Sequence, residues 1–326
     1  DHAATRIMVK GTGQEHDGIV AYVEGGFRPL ADAKVSVMTH AFLYGTATFE
    51  GIRAYWNAEQ EELYVLKLDQ HLERLRASSR ILMMDPLPEV SALHAIIVEL
   101  LRQNGYREDV YIRPSVYKST EAIGVRLHEL KNDLYVIATP FGNYIDVDSG
   151  IRCATVATRR TTDLAIPARA KVVGNYVNSA FSKSEAMLNG HDEAIVLTEA
   201  GKVSEGSAEN LFLLRGDTLI TPGANDDILE GITRGAVIEI AREFGLKVSE
   251  RSIDRSELYI GDELFLCGTG AQISPVIEVD HRAVGTGAIG PVTKRIQERY
   301  FAAVHGRVPE YAHWLTPVYG GSGNRS

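Results

Sequence analysis

Cysteine is scarce. The chain has two in 326 residues, Cys153 and Cys267, far apart and in apolar, strand-like surroundings. Such a pair predicts buried free thiols and weighs against a disulfide or a metal pair. Long apolar runs are missing as well, none approaching the roughly 20 residues that cross a bilayer, so no membrane partner is expected. There is no basic excess: 34 Lys and Arg stand against 43 Asp and Glu, for a net charge of −9 and a pI near 5.6. Binding a phosphate backbone needs a positive face, so nucleic acid is not expected as a partner. Residues 1–18 are polar and lack an apolar signal core, which leads to the expectation of a cytoplasmic protein. Repeats and low-complexity blocks are absent, and Tyr319-Gly320-Gly321-Ser322-Gly323-Asn324 reads as a flexible end.

What is present is a mixture of strand and helix patterns. Residues 18–24 and 34–38 read as extended segments joined through Gly25-Gly26, and residues 47–56 and 62–68 as a hairpin around Asn57-Ala58-Glu59. A helix is expected over 68–84, with Leu68, Leu72, Leu75 and Leu82 on one side, stopped by Asp85-Pro86. Val90, Leu93, Ile97, Leu100 and Leu101 then repeat at helical spacing up to Asn104-Gly105. Residues 110–117 and 133–141 are strand-like. Gly, Asn and Asp cluster over 142–150, a composition shift that marks a linker. It divides the chain into a small N-terminal domain (1–143), a connection (144–150) and a larger C-terminal domain (151–326). The second part reads as strands at 151–158, 193–198, 202–204, 211–215 and 263–267, with helices at 175–188, 233–244 and 291–304. Strict strand–helix alternation is absent, so the fold class expected is α+β, two α/β domains, rather than a doubly wound sheet.

Ala170-Lys171-Val172-Val173-Gly174-Asn175-Tyr176 carries the chemistry, together with Ser204-Glu205-Gly206-Ser207-Ala208-Glu209-Asn210. A lysine in a run of small and apolar residues is partly desolvated, which favours the neutral, nucleophilic amine. Sequence alone does not choose Lys171 over Lys67, Lys118 or Lys183. A nearby phenol and a carboxylate complete the set that pyridoxal 5′-phosphate requires: an amine for its aldehyde, a partner for its ring oxygen, and an anion for its pyridine nitrogen. Glu205 read in isolation is a surface turn carboxylate. Leu229-Glu230-Gly231-Ile232-Thr233-Arg234 opens a helix whose free N–H groups suit a phosphate, and Gly268-Thr269-Gly270 offers a second such turn. Arg74 is a candidate phosphate fork, or simply a solvated helix residue. In Tyr111-Ile112-Arg113-Pro114, alternation sends Tyr111 and Arg113 to one face, as carboxylate ligands or as an edge-strand surface pair.

Taken in order, these segments with His40-Ala41-Phe42-Leu43-Tyr44-Gly45-Thr46, Phe49-Glu50-Gly51-Ile52-Arg53 and His71-Leu72-Glu73-Arg74-Leu75 closely resemble the branched-chain amino acid aminotransferases, pyridoxal phosphate enzymes of fold type IV, over residues 18–315. The resemblance implies a homodimer, with the cofactor between two domains and a loop borrowed from the partner chain. It implies Lys171 as Schiff-base lysine and proton shuttle, Glu205 on the pyridine nitrogen and Tyr176 on the ring-oxygen side. Arg74, Ile232, Thr233 and Thr269 would hold the phosphate. Tyr111 and the Thr269–Gly270 backbone would take the substrate α-carboxylate, and Arg113 and Tyr44 the second carboxylate of glutamate. Phe49, Ile123, Val125, Phe141 and Tyr144 would form the hydrophobic side-chain pocket. No metal is assigned.

The implied reaction moves the amino group of leucine, isoleucine or valine to 2-oxoglutarate. Departures at Gly270, and in residues 115–122 with Lys118 and Glu121 near the shared loop, leave open a D-amino acid or (R)-amine transaminase. A lyase of the same fold and a catalytically silent binding protein are the other readings.

Overall fold

Residues 18–142 and 147–320 are described by the computed structural model. Residues 144–146 of the expected connection, Tyr144 among them, and the tail beyond Gly320 lie outside them. The first sheet begins with β1 (Val20–Val23) and β2 (Gly26–Pro29), joined by a two-residue turn with Glu24 and Gly25 at positive φ. Because that turn is so tight, β2 starts at Gly26 and takes up the pairing with β1. Residues 34–38, expected as a strand, therefore have no ladder to join and are irregular.

A short helix α1 (His40–Tyr44) leads to β3 (Ala47–Phe49), β4 (Ile52–Asn57) and β5 (Glu62–Leu66). Helices α2 (Leu68–Ile81) and α3 (Val90–Asn104) follow, then β6 (Val110–Lys118) and β7 (Asn132–Pro140). The strand order is β5-β4-β6-β7-β1-β2 with β3 on β6, and every pairing is antiparallel. Leu68, Leu72 and Leu75 of α2 and Ile97 and Leu101 of α3 pack on Ile52, Val65 and Ile112 of this sheet. Helix α2 stops three residues earlier than the pattern predicts. Met83 adopts a left-handed φ of 54°, and the Met84 N–H closes back on the Ser79 carbonyl at 3.0 Å.

The second sheet contains β8 (Ile151–Arg159), β9 (Glu193–Leu197), β10 (Val203–Gly206), β11 (Asn210–Arg215), β12 (Thr218–Thr221), β13 (Lys247–Glu250), β14 (Glu263–Gly268), β15 (Gln272–Val279) and β16 (Arg282–Ala283). Its order is β10-β9-β8-β15-β14-β11-β12-β13, with parallel pairs at β8–β9, β8–β15 and β12–β13. Helices α4 (Tyr176–Leu188), α5 (Ile232–Glu243) and α6 (Pro291–Val304) cover it. The mixture of antiparallel and mixed sheets with separate helices is α+β, as expected. Strands β12, β13, β15 and β16 were not anticipated. In β15 the obstacle is Pro275, which is tolerated because the ladder to β8 begins one residue later, at Val276.

The last strand, β17 (Leu315–Pro317), returns to pair with β5 of the first sheet. The N-terminal layer is thus completed by residues from the far end of the chain. Both cysteines are buried and free. No helix among the described residues is long and apolar enough to cross a membrane.

The N-terminus of α6 shows how the second sheet orients a helix. Its N-cap residue is Gly290, which offers no side chain, so the Glu263 carboxylate of β14 takes the Val292 and Thr293 N–H groups at 3.1 and 2.6 Å. A Cβ on Gly290 would lie 2.0 Å from the Glu263 Cδ, so glycine is required for that approach. Replacing Glu263 with alanine removes a cap and two charge-assisted bonds, and is expected to cost about 2 kcal/mol. The urea midpoint of Glu263→Ala against the parent checks this.

Candidate active site

Both sheets contribute to one cavity of about 490 Å³. Of the expected cofactor residues, Arg74, Lys171, Tyr176, Glu205, Ile232, Thr233 and Thr269 line it. Of the expected substrate residues, Phe49, Tyr111, Arg113, Phe141 and Gly270 do.

Lys171 arrives from the second half of the chain, yet its backbone is held by the first. Its N–H donates to Ser78 Oγ of α2 at 3.0 Å, and its carbonyl accepts from the Phe49 N–H of β3 at 3.1 Å. Ala170 and Val172 on either side are buried in the first core. Its Nζ donates to the Tyr176 hydroxyl at 2.8 Å, and the Tyr176 ring meets Phe49 edge-on. The competing lysines end differently. Lys67 pairs with Glu239 under the Trp314 ring, Lys183 pairs with Glu193, and Lys118 is buried with its Nζ on the Met83 carbonyl. Lys118 and residues 115–117 thus belong to β6 rather than to a shared loop.

Glu205, on β10, is buried rather than a surface turn residue. Its Oε1 pairs with Arg160, and its Oε2 accepts from Asn210 Nδ2 and the Leu229 N–H, both at 3.1 Å. Burial pushes this carboxyl up, and the Arg160 guanidinium opposes that shift. Arg74 is not solvated either. Its Nε and Nη2 fork onto Glu50 at 2.8 Å, and Nη1 reaches the Glu230 carbonyl. Two guanidinium N–H bonds remain uncommitted, on a residue that lines the cavity. Next to Glu230, the Gly231 N-cap of α5 has no side-chain cap, which leaves the first-turn N–H groups available to an anion.

Tyr111 and Arg113 do share a face, and it is the cavity wall. Arg113 donates to the Tyr111 hydroxyl at 2.8 and 3.2 Å and lies 4.5 Å from the Phe49 ring centroid. Gly51 makes room for them, since a Cβ there would sit 2.6 Å from that hydroxyl. Tyr44, Ile123 and Val125 do not reach this cavity in their own chain. Ile123 and Val125 are 79% and 87% exposed on the connection after β6, and the Tyr44 hydroxyl accepts from the Gly124 N–H.

Several residues had no individual role in the sequence reading. Glu50 is buried between Arg74 and His71, whose Nδ1 lies 2.7 Å from Glu50 Oε2. Burial pushes His71 down, against the opposing pull of the Glu50 carboxylate. Arg53, also buried, donates to the carbonyls of Thr269, Gly270, Phe141 and Gly142 and so sets the Thr269–Gly270 turn. Arg160 and Asn210 fix Glu205. Glu209 lines the cavity and is pushed up by burial and by the Glu193 carboxylate. The available signal for Glu50 was a carboxylate beside a glycine at a break between two apolar strands.

Glu50 is held well below its usual range: burial alone would raise it, and Arg74 and His71 bring it from 4.5 to about 2. A depressed carboxyl stabilises the fold fully above its unfolded value and loses that effect as the pH falls through its folded value. The window is therefore about pH 4.5 down to 2. Urea midpoints across it should fall in the parent, and more shallowly in Glu50→Gln. At neutral pH, Glu50→Gln should be destabilised by about 3 kcal/mol because Arg74 loses its partner.

The comparisons with known proteins agree with this geometry. The amino-transferase class IV family matches residues 47–279. A probable branched-chain-amino-acid aminotransferase of Aquifex aeolicus is 48% identical over 300 residues, covering 92% of this chain and 96% of that one. The crystal structure of the branched-chain aminotransferase of Thermoproteus uzoniensis with norvaline is 44% identical, with a TM-score of 0.89 over 92% of this chain and 99% of that one. The branched-chain amino acid aminotransferase of Thermobaculum terrenum in its PLP-form is 36% identical, with a TM-score of 0.89 over 93% and 99% of the two chains. On the family match and these identities, the chain belongs to the class IV aminotransferases.

Proposed function

We propose that the chain is a pyridoxal 5′-phosphate-dependent transaminase that moves the amino group of L-leucine, L-isoleucine or L-valine to 2-oxoglutarate, giving the branched 2-oxo acid and L-glutamate. The observation that carries this reading is the Lys171 Nζ on the Tyr176 hydroxyl, inside a cavity also lined by Glu205, Arg74 and the start of α5. The names of the relatives point to branched-chain amino acids as the amino donors.

The donors fit the cofactor. A phosphate needs several N–H groups, and the uncommitted bonds of Arg74, the first turn of α5 at Ile232 and Thr233, and Thr269 offer them. A pyridine nitrogen needs a buried anion, and Glu205 is one. When bound, pyridoxal phosphate supplies an aldehyde that carries the amino group and a ring that takes up the electron pair left at the substrate Cα.

The chain's own residues do the rest. Glu205, paired with Arg160, would hold the ring nitrogen. Tyr176 would hold the ring-oxygen side and orients the Lys171 Nζ. Lys171 Nζ would carry the proton that leaves the substrate Cα. Tyr111 and the Thr269–Gly270 backbone receive the α-carboxylate. Phe49 and Phe141 form the apolar wall, and Arg113 takes the distal carboxylate of glutamate.

Tyr44, Ile123 and Val125 complete the reading as a cytoplasmic homodimer. Exposed in their own chain, they serve the cavity of a second copy. Tyr144 is assigned to the apolar pocket by sequence resemblance. The division at 1–143 and 151–326, with 144–150 between, suits a cofactor held between two sheets, β17 returning to the first.

Lys171→Ala should lower the transamination rate at least about 1,000-fold while leaving the fold intact, and a variant with wild-type turnover would overturn the assignment. Both enantiomers of each donor assayed against 2-oxoglutarate separate the L-specific reading from the D-amino acid and (R)-amine ones. Arg113→Met should raise KM for 2-oxoglutarate about 10- to 100-fold, the worth of one charge-assisted contact, and change KM for leucine by less than about 3-fold.

A further inference from the structure

His191, Glu278 and His281 converge on a surface away from the cavity, with one donor atom from each within 4.8 Å of the others. We infer that these three side chains form a site for a divalent transition metal, best suited to Zn²⁺, with water in the remaining position.

His191 supplies the first argument. It is only 8% exposed, yet its Nδ1 has no hydrogen-bond partner among the described residues. A buried imidazole nitrogen left unpaired is costly. Its ring lies 4.9 Å from that of His281 between centroids, tilted by 54°, so the side chain with the unpartnered nitrogen belongs to the cluster.

The second argument is that both backbones are fixed without any ion. The turn carrying His191 is held by the His191 N–H on the Ala186 carbonyl at 3.0 Å. It is held again by Arg152, whose backbone exchanges bonds of 2.8 Å with Asp192 and whose Nη2 reaches the Gly190 carbonyl. Asp192 lies 3.9 Å from the Arg152 Nε and offsets its charge beside the site. Glu278 is held in the β15–β16 ladder opposite Ala283, and His281 sits in the two-residue turn to β16 with φ 61°. That turn is anchored by Asp280, which accepts from the Thr155 N–H and hydroxyl at 2.7 Å and from the Tyr259 hydroxyl at 2.6 Å.

Chemistry selects the ion. Two imidazoles and one carboxylate suit zinc, whereas magnesium and calcium prefer oxygen alone. Bond lengths of about 2.0–2.2 Å in a tetrahedron put ligand atoms about 3.3–3.6 Å apart, so the donors must close by roughly 1 Å. His281, whose side chain is 81% exposed on a fixed turn, has the freedom to supply that movement. Bound zinc would cross-link the turn before β9 to the β15–β16 hairpin, two points far apart in sequence.

The test uses untagged holoenzyme, treated with a chelator, freed of unbound cofactor by gel filtration and titrated with ZnCl₂ alone. Calorimetry should show one saturable site per chain, and the thermal midpoint should rise by a few degrees with excess zinc. The chain's ten histidines give a background of weak binding, so variants decide. His281→Asn keeps the left-handed turn, because asparagine tolerates positive φ. It should lose the saturable site and the thermal rise while its transamination rate stays that of the parent. His191→Gln should lose both as well. Parent protein without a saturable site below about 0.1 mM zinc, well short of the affinities structural sites reach, would overturn the inference. So would His281→Asn binding zinc as the parent does.

Discussion

The hydrogen bond from the Phe49 N–H to the Lys171 carbonyl is the contact on which the site depends. It joins an edge of the first sheet to a segment that follows the first strand of the second. Around it, Thr48 bridges to Val172, Ser78 takes the Lys171 N–H, and Gly45 and Gly174 approach so closely that a Cβ on Gly45 would lie 2.9 Å from the Gly174 Cα. Each such bond contributes only about 1 kcal/mol net. Their collective effect is positional. A lysine has four rotatable side-chain bonds, and a reactive nitrogen at its tip is useful only if the backbone at its root does not move. Burying Ala170 and Val172 in the first core supplies the anchoring that the polar contacts alone would not.

Around that anchor the cavity is ringed by buried ion pairs: Glu50 with Arg74, Glu205 with Arg160, and Glu193 with Lys183. Taking such charges out of water costs several kcal/mol per ion before their attraction offsets it, so a fold has little stability to gain from three of them. In two of the pairs one member faces the cavity while its partner holds it, as Glu50 holds Arg74 and Glu193 holds Lys183, whereas Glu205 and Arg160 both line it. Arg74 illustrates the point. The Glu50 carboxylate fills two of its donors and thereby directs the others. Arg53 does the same for backbone, gathering four carbonyls so that the Thr269–Gly270 turn keeps one shape.

This division between the groups that face the cavity and those that hold them explains what could be read from the sequence. Lys171, Tyr176, Glu205 and the turn before α5 were legible as a set: none stands out alone, but one cofactor's chemistry demands these residue types together. The helices were legible where a leucine stripe meets a stop signal, as at Gly105, where the chain turns left-handed with φ 64°. Glu50, Arg53 and Arg160 were hidden for the opposite reason. Their partners lie far away in sequence, and a charged residue beside a strand usually points to water. Strand β15 was hidden because Pro275 argues against a central strand unless one knows where the β8 ladder begins. Residues 34–38 failed through competition: β-propensity has no effect once the tight turn at Glu24–Gly25 has given the pairing edge to β2.

The proposed reaction asks one pocket to accept both an isobutyl group and a glutamate side chain, and Arg113 shows how the contradiction is resolved. A guanidinium left unpaired against an aliphatic chain would be costly. Here it is never unpaired. Nε and Nη2 rest on the Tyr111 hydroxyl, and the planar group lies over the Phe49 ring, an attraction worth about 1 kcal/mol even without a counter-ion. With an apolar substrate, those contacts remain and Phe49 presents the wall. With glutamate, the distal carboxylate takes donors that Tyr111 and Phe49 leave over. Because the resting arrangement is already satisfied, specificity comes from an alternative partner of similar worth rather than from a charge held waiting.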